Sequence, residues 1–358
     1  MEMSTLRYVP SGGLAALAAA LAARARLLAP AREGASVMFR EYAGGEPCLA
    51  RATVSPKTAV LPACETLFTF AAARQAPEAG IVEAAGKPAL VLSDGLEQNA
   101  APTIIFACRP CDARGIAVID RPYLRGPFRD PYYAARREKL LVLSLSCDAP
   151  CATCFCDWVS EGPADGEGSD VLMTRIEDGF VLESVSPAGE ALLRDEGLAG
   201  LLAEGDTRLD AARAVRRASL EGRPPAPDLS KAAGALGRRF ADLGFWQDMT
   251  ASCLSCGACT YMCPTCYCFG ISDEGGGAGG SRLRSWDGCM SPLFTREASG
   301  HNPRAAKALR MRNRVLHKFS YYPAVWDGAF SCSGCGRCIA QCPVQMDIRR
   351  IVLAGMAQ

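Results

Sequence analysis

Cys253, Cys256, Cys259 and Cys263, followed by Pro264, recur at the same spacing as Cys332, Cys335, Cys338 and Cys342, followed by Pro343. Three thiolates at this spacing wrap one face of a cubane iron–sulfur cluster, and the fourth points away to ligate a partner cluster. The repeat therefore predicts two [4Fe–4S] clusters with exchanged fourth ligands. Cys253, Cys256, Cys259 and Cys342 are assigned to one, and Cys332, Cys335, Cys338 and Cys263 to the other. Proline after each fourth cysteine fixes the backbone where the chain leaves the cluster. Gly257, Gly334 and Gly336 let backbone amides come close to the sulfides. A pair of zinc knuckles is the competing reading, but zinc has no use for the third cysteine or the trailing proline.

A second group lies upstream. Cys111 falls in "RPCDARGI", and Cys147, Cys154 and Cys156 fall in "CDAPCATCFC", both placed where strands should end. Cys111 would open a helix, where the dipole favours a thiolate. A third [4Fe–4S] cluster on Cys111, Cys147, Cys154 and Cys156 is predicted, with Arg109 close enough to offset its charge. Buried structural cysteines are the plain alternative. Cys147, Cys151 and Cys154 also spell the C-x3-C-x2-C of radical-SAM enzymes. That family expects an aromatic where Thr153 stands and a following run of βα units, which this chain lacks. Cys151 remains a candidate substitute for Cys111.

The elements that must position these thiols follow from patterning. Ser36–Tyr42, Leu49–Val54, Pro88–Ser93, Thr103–Phe106 and the run 139–147 read as strands, Glu65–Arg74 and Asp112–Ile119 as helices, and Val171–Thr174 with Phe180–Val185 as a hairpin. The alternation implies an α/β domain with a mixed sheet over 1–187. A helical linker over 188–245 contains the proline-rich "EGRPPAPD", and a two-cluster domain of the α-helical ferredoxin type fills 246–358. The fold class is α+β and multidomain. Between the repeats, Gly275, Gly277 and Gly280 form a G-x-G-x-x-G that lacks a flanking strand and helix, so a flexible loop is expected there. The basic run Arg304–Lys318 has two readings: a solvated face, which is the simpler, or charge that docks a partner or counters the clusters. His301 and His317 read as surface or hydrogen-bonding residues.

Composition sets the outer limits. Among 358 residues, nineteen cysteines stand beside two histidines, which favours all-thiolate metal sites. A net charge of +1 gives no electrostatic case for nucleic acid. The alanine-rich stretch from Leu14 runs about ten apolar residues before Arg24, too short for a membrane span, and reads as an amphipathic surface helix. Without an export signal the thiols stay reduced, and a cytoplasmic location follows.

Seven motifs taken together resemble one lineage: "SPKTAVLPACETLF" (55–68), "RPCDARGI" (109–116), "CFCDW" (154–158), "CLSCGACTYMCPTCYCF" (253–269), "WDGCM" (286–290), "RNRVLHKF" (312–319) and "CSGCGRCIAQCPV" (332–344). The lineage comprises the β subunit of cytoplasmic sulfhydrogenases, the corresponding iron–sulfur subunit of anaerobic sulfite reductase, and that of a flavin oxidoreductase feeding heterodisulfide reductase. The resemblance implies an iron–sulfur electron-transfer subunit of a hetero-oligomer, and with no paired carboxylates, Ser/His/Asp set or nucleotide loop in the sequence no catalytic residues are expected. Its partners would be a flavoprotein that oxidises NAD(P)H and a hydrogenase, sulfur or sulfite reductase, or heterodisulfide-reductase-type subunit. The matching ligands are Cys111, Cys147, Cys154, Cys156 and the eight repeat cysteines. Cys108 stands where the family usually has another residue. Cys266, Cys268 and Cys289 resemble family positions and support an alternative, an enzyme subunit reducing a sulfur compound in the insert. Cys48 and Cys64 read as small apolar packing residues.

Overall fold

The computed structural model describes residues 4–73, 89–95, 101–276 and 279–357. Among the described residues, ten strands and five α-helices precede position 220: β1 (Leu6–Pro10), β2 (Arg26–Glu33), β3 (Ser36–Glu41), β4 (Cys64–Ala73), β5 (Ala89–Asp94), β6 (Thr103–Cys108), β7 (Leu140–Leu145), β8 (Val171–Arg175), β9 (Gly179–Ser184) and β10 (Ala203–Glu204), with α1 (Leu14–Ala22), α2 (Pro110–Leu124), α3 (Pro131–Arg137), α4 (Pro187–Leu193) and α5 (Leu209–Ala218). Strands β2, β6, β7 and β8 pair in parallel at the centre of an eight-stranded mixed sheet ordered β10-β1-β9-β8-β7-β6-β2-β3. The all-buried "TIIFAC" of β6 is the pattern expected of a strand covered on both faces. On one side α1 packs Leu14, Leu17, Ala18 and Leu21 into a core with Val9, Phe106 and Leu143. On the other, α2 buries Ala113, Ile116 and Ile119 against Ile105 and Val142.

Three expectations are corrected here. Glu65–Arg74 is not a helix: its β-branched and aromatic residues build β4, paired with β5. The Leu49–Val54 segment is not a strand; its carbonyls go to arginines instead, Leu49 O to Arg109 and Ala52 O to Arg337. The glycine-rich stretch is not a loop over its described residues. Gly275, Gly276, Gly279 and Gly280 lie on two antiparallel strands, β11 (Phe269–Gly276) and β12 (Gly279–Trp286), which join β4 and β5 in a second sheet ordered β11-β12-β4-β5. Gly279 has φ +155°, and a Cβ there would come within 2.5 Å of the Phe70 carbonyl oxygen. Arg74, Pro88 and Gly277 lie outside the described residues.

The remaining helices are short: α6 (Ala232–Arg238), α7 (Leu243–Met249), α8 (Ala258–Tyr261), α9 (Lys307–Leu316), α10 (Tyr322–Val325), α11 (Arg337–Ala340) and α12 (Ile348–Met356). They enclose a core of Leu236, Trp246, Met290, Val315, Phe319 and Val352. The segment between the repeats is thus a hairpin followed by a helix, and α9 runs on into a π-turn over His317–Tyr321. The α2 helix and the first repeat touch directly, since a Cβ on Gly115 would lie 2.5 Å from the Pro264 Cβ. Replacing Gly115 with Ala should cost about 1–3 kcal/mol in urea unfolding through overpacking. Gly200→Ala, with nothing within 4 Å, should be close to neutral.

Candidate metal centres

The two repeats fold alike. Each has left-handed backbone two residues after its first cysteine (Ser255, φ +56°; Gly334, φ +61°) and again just after its second (Gly257, φ +78°; Gly336, φ +69°). Each then enters a one-turn helix, α8 or α11. This bend turns amides inward: Ser255 N–H donates to Cys253 Sγ and Gly334 N–H to Cys332 Sγ, both at 3.4 Å. Hydrogen bonds of this kind favour the thiolate.

Helices α8 and α11 pack together, and two cavities lie beside them. The first is lined by Cys253, Cys256, Cys259 and Cys342, with Cys338 and Arg314. The second is lined by Cys263, Cys332, Cys335 and Cys338, with Arg314 and Lys318. The fourth cysteine of each repeat therefore lies in the cavity of the other. The thiols stand around a space rather than converging on one point, whereas a zinc ion would draw four sulfurs to about 2.3 Å from itself.

The donor chemistry fits an anionic sulfur cluster. Ser333 lines the second cavity, and its buried hydroxyl has no hydrogen-bond partner among the described residues. Arg314 and Lys318 are each 3% exposed. Burial opposes the charge of Arg314, but the thiols of Cys259, Cys266, Cys338 and Cys263 outweigh it and hold the guanidinium protonated. Burial likewise opposes Lys318, and Cys263, Cys266 and Cys332 overcome it. The ammonium of Lys318 lies 3.5 Å from Cys263 Sγ and donates to Thr265 Oγ1 and the Ser331 carbonyl, both at 2.8 Å. A buried charge needs a counter-charge, which the neighbouring sulfurs supply only in their anionic form.

These cations correct the solvated-face reading of the basic run. Lys307, Arg310, Arg314 and Lys318 follow one another at three, four and four residues, which places them on one helical face. That face is turned inward. Lys307 donates to the Ala251 and Cys253 carbonyls at 2.8 and 3.0 Å, and Arg310 to Ser255 Oγ at 2.9 Å. His301 is exposed, while His317 bonds Tyr267 Oη at 3.1 Å. Burial, with Lys318 and Arg314 nearby, pulls His317 down to about 4, so it is neutral at pH 7.

The upstream cysteines lie against the second repeat. Phe155 N–H donates to the Gly334 carbonyl at 2.8 Å, and Cys154 Sγ lies 3.4 Å from the Cys335 carbonyl oxygen. A Cβ on Gly336 would lie 2.2 Å from the Thr153 carbonyl oxygen, so glycine is required there. Cys147, Cys154 and Cys156 are near enough to act on one another electrostatically, and Cys151 adjoins Cys147 and Cys154. Cys111 reaches the same region through Arg51, whose charge acts on Cys111, Cys154 and Cys335 alike. Arg51 also donates to Cys151 Sγ at 3.2 Å. The charge of Arg51 thus bears on Cys111, Cys147, Cys151 and Cys154 of this group and on Cys335 of the second repeat. Burial pushes Cys111 well above its ordinary range and overrides the helix-dipole effect expected from its position. Arg109 caps α2 and donates to the Leu145 and Ser146 carbonyls at 3.4 and 3.0 Å, which fixes the strand end before Cys147.

Sequence reasoning passed over Arg51, Lys57 and Arg337. Lys57 is buried, donates to the Cys263 and Cys266 carbonyls at 3.0 and 2.8 Å, and stacks over Trp286 at 4.1 Å. Arg337, 2% exposed, makes a two-pronged pair with Asp112, 1% exposed, at 2.6 and 3.0 Å. Lys57 lies within "SPKTAVLP" and Arg337 within "CSGCGRC", which was the available sign for those two; Arg51 lies in none of the quoted motifs.

Known proteins align with this arrangement. Residues 252–346 match the family described as 4Fe-4S dicluster domain. The sulfhydrogenase 2 subunit beta of Pyrococcus furiosus is 31% identical over 250 residues, covering 68% of this chain and 71% of that protein. The chain belongs to the sulfhydrogenase beta-subunit family. That alignment is longer than everything from position 252 onward, so the family likeness extends into the region upstream of the dicluster domain. No solved structure matches the chain. No helix among the described residues is long and apolar enough to cross a membrane.

Removing one partner of the Asp112–Arg337 pair leaves a buried charge. Asp112→Ala should cost about 3–5 kcal/mol in chemical unfolding. Asp120→Ala, whose partner Arg137 is 21% exposed, should cost less.

Proposed function

We propose that this sulfhydrogenase-type beta subunit is an electron relay with three [4Fe–4S] centres. The observation that carries the reading is the pair of adjoining cavities, each lined by cysteines of both repeats and faced by buried cations whose counter-charges are thiols. Cys253, Cys256, Cys259 and Cys342 would hold one centre, and Cys332, Cys335, Cys338 and Cys263 the next. The third would sit on Cys147, Cys154, Cys156 and Cys111, with Cys151 in reserve. Such clusters accept and release single electrons at potentials set by hydrogen bonds, charge and burial.

The chain's own residues do the rest. Ser255 and Gly334 amides hold sulfur charge, while the buried Arg314 and Lys318 balance it. Cys335 has neighbours in both groups: it lines the second cavity and touches the upstream thiols through Arg51. The order of centres is therefore linear, with the 332–338 centre in the middle. Cys256 and Cys151, at the two ends, are exposed. Each end would meet a partner, one a flavoprotein that handles NAD(P)H and the other a hydrogenase or sulfur-reducing subunit, in a cytoplasmic hetero-oligomer.

Anaerobically purified protein should contain about twelve iron atoms per chain, four for each of three centres. Cys335→Ser and Cys156→Ser should each lose about a third of them. Zinc in place of iron would remove the reading. Lys318→Met should retain iron yet lower the midpoint potential of one dithionite-reduced paramagnetic signal, because the lost cation stabilises the reduced, more negative state. An unchanged potential would show that Lys318 acts only through packing.

A further inference from the structure

Cys266, Cys268 and Cys289 stand outside the linings of both thiol cavities. Cys266 belongs to the surroundings of the second, because it hydrogen-bonds Cys263 and lies 3.6 Å from an Arg314 nitrogen. Cys268 and Cys289 differ: they flank the base of the β11–β12 hairpin, and each is the group that acts most strongly on the other.

The hairpin fixes this approach. Cys268 immediately precedes β11, and Cys289 follows the end of β12 by three residues. The first ladder pair is Phe269 with Trp286, and Asp287 N–H donates to the Cys268 carbonyl at 3.0 Å, closing the hairpin base. Trp286 Nε1 is anchored on the Leu61 carbonyl at 3.0 Å. Gly288 lies so close to Thr260 that a Cβ would come within 2.6 Å of Thr260 Oγ1, which seats Cys289 beside the first repeat. Cys259 lies within electrostatic range of Cys289. Exposure separates the two sulfurs, since Cys289 is 8% exposed and Cys268 is half-buried. A half-open thiol backed by a buried one is the arrangement of an attacking and a resolving cysteine.

We infer that Cys268 and Cys289 form a reversible dithiol–disulfide couple, a two-electron centre beside the cysteine cage of the first repeat. The inference rests on the relay reading above. On oxidation the two S–H bonds break and one S–S bond forms. Two protons leave through the half-open Cys268 side, and two electrons pass singly to two iron–sulfur centres. Reduction reverses each change. The couple thus converts between the single electrons of the centres and an electron pair.

The test is thiol trapping on the full-length, iron-loaded protein. Dithionite-reduced and thionine-oxidised samples are quenched in acid, alkylated under denaturing conditions and mapped by peptide mass spectrometry. In the oxidised sample Cys268 and Cys289 should both escape alkylation and appear as one linked peptide pair. In the reduced sample both should be alkylated. Cys268→Ser and Cys289→Ser should abolish the link while iron content and paramagnetic signals stay at wild-type levels. Alkylation of both residues in the oxidised wild type overturns the inference, as does loss of iron in Cys289→Ser, which would make it a ligand. Iron and paramagnetic signals measured on the same wild-type sample report on the relay reading separately.

Discussion

Sulfur charge held in a dry core must be matched by positive charge, and the C-terminal half of this protein is organised around that requirement. A single helical face, from Lys307 through Arg310 and Arg314 to Lys318, meets both cysteine repeats. Arg314 lines both cavities. Its guanidinium therefore faces the thiols of both cavities, and neither repeat could be repacked without disturbing the other. The helix cannot be explained by its packing alone, because burying its cations against an apolar wall would cost several kcal/mol for each. Only in the presence of thiolate charge is that face stable inside the protein.

The same logic joins the two halves of the chain. Lys57 closes on the Cys263 and Cys266 carbonyls, Arg51 reaches the Cys335 carbonyl, and Asp112 pairs with Arg337. Each of these groups comes from the region before position 120 and ends on a cysteine repeat. Glycine makes the approach close enough: the Gly334 and Gly336 positions have no room for a side chain against residues 153–156. The upstream thiols are thereby held against the second repeat by backbone contacts as well as by charge.

The cysteine spacing was legible because cluster ligation imposes a local rule, with three ligands within seven residues. The central strands β6 and β7 were legible because burial on both faces leaves an unbroken apolar run, whereas their parallel neighbour β2 was not, because it follows the alanine-rich α1 in a stretch that reads as helix. Residues whose role depends on distant partners were not. "CETLFTFAAA" carries enough alanine to look helical alone, yet it is a strand because β5 and β12 flank it. The glycines of the insert suggest slack, and they form a hairpin because β4 accepts it as a neighbour. The basic run looked solvated because charge normally faces water. Its spacing of three and four residues was the available clue, and only the buried sulfurs turn that stripe inward.

The crossing of the fourth cysteines sets an order of biogenesis. The cavity that begins at Cys253 lacks its last wall until Cys342 has emerged from the ribosome, and the one that begins at Cys332 draws on Cys263, made long before. Neither can close around metal while the polypeptide is still being elongated through the insert. A cluster held by either cavity would accordingly be completed only once both repeats have been made, because each lining draws on both.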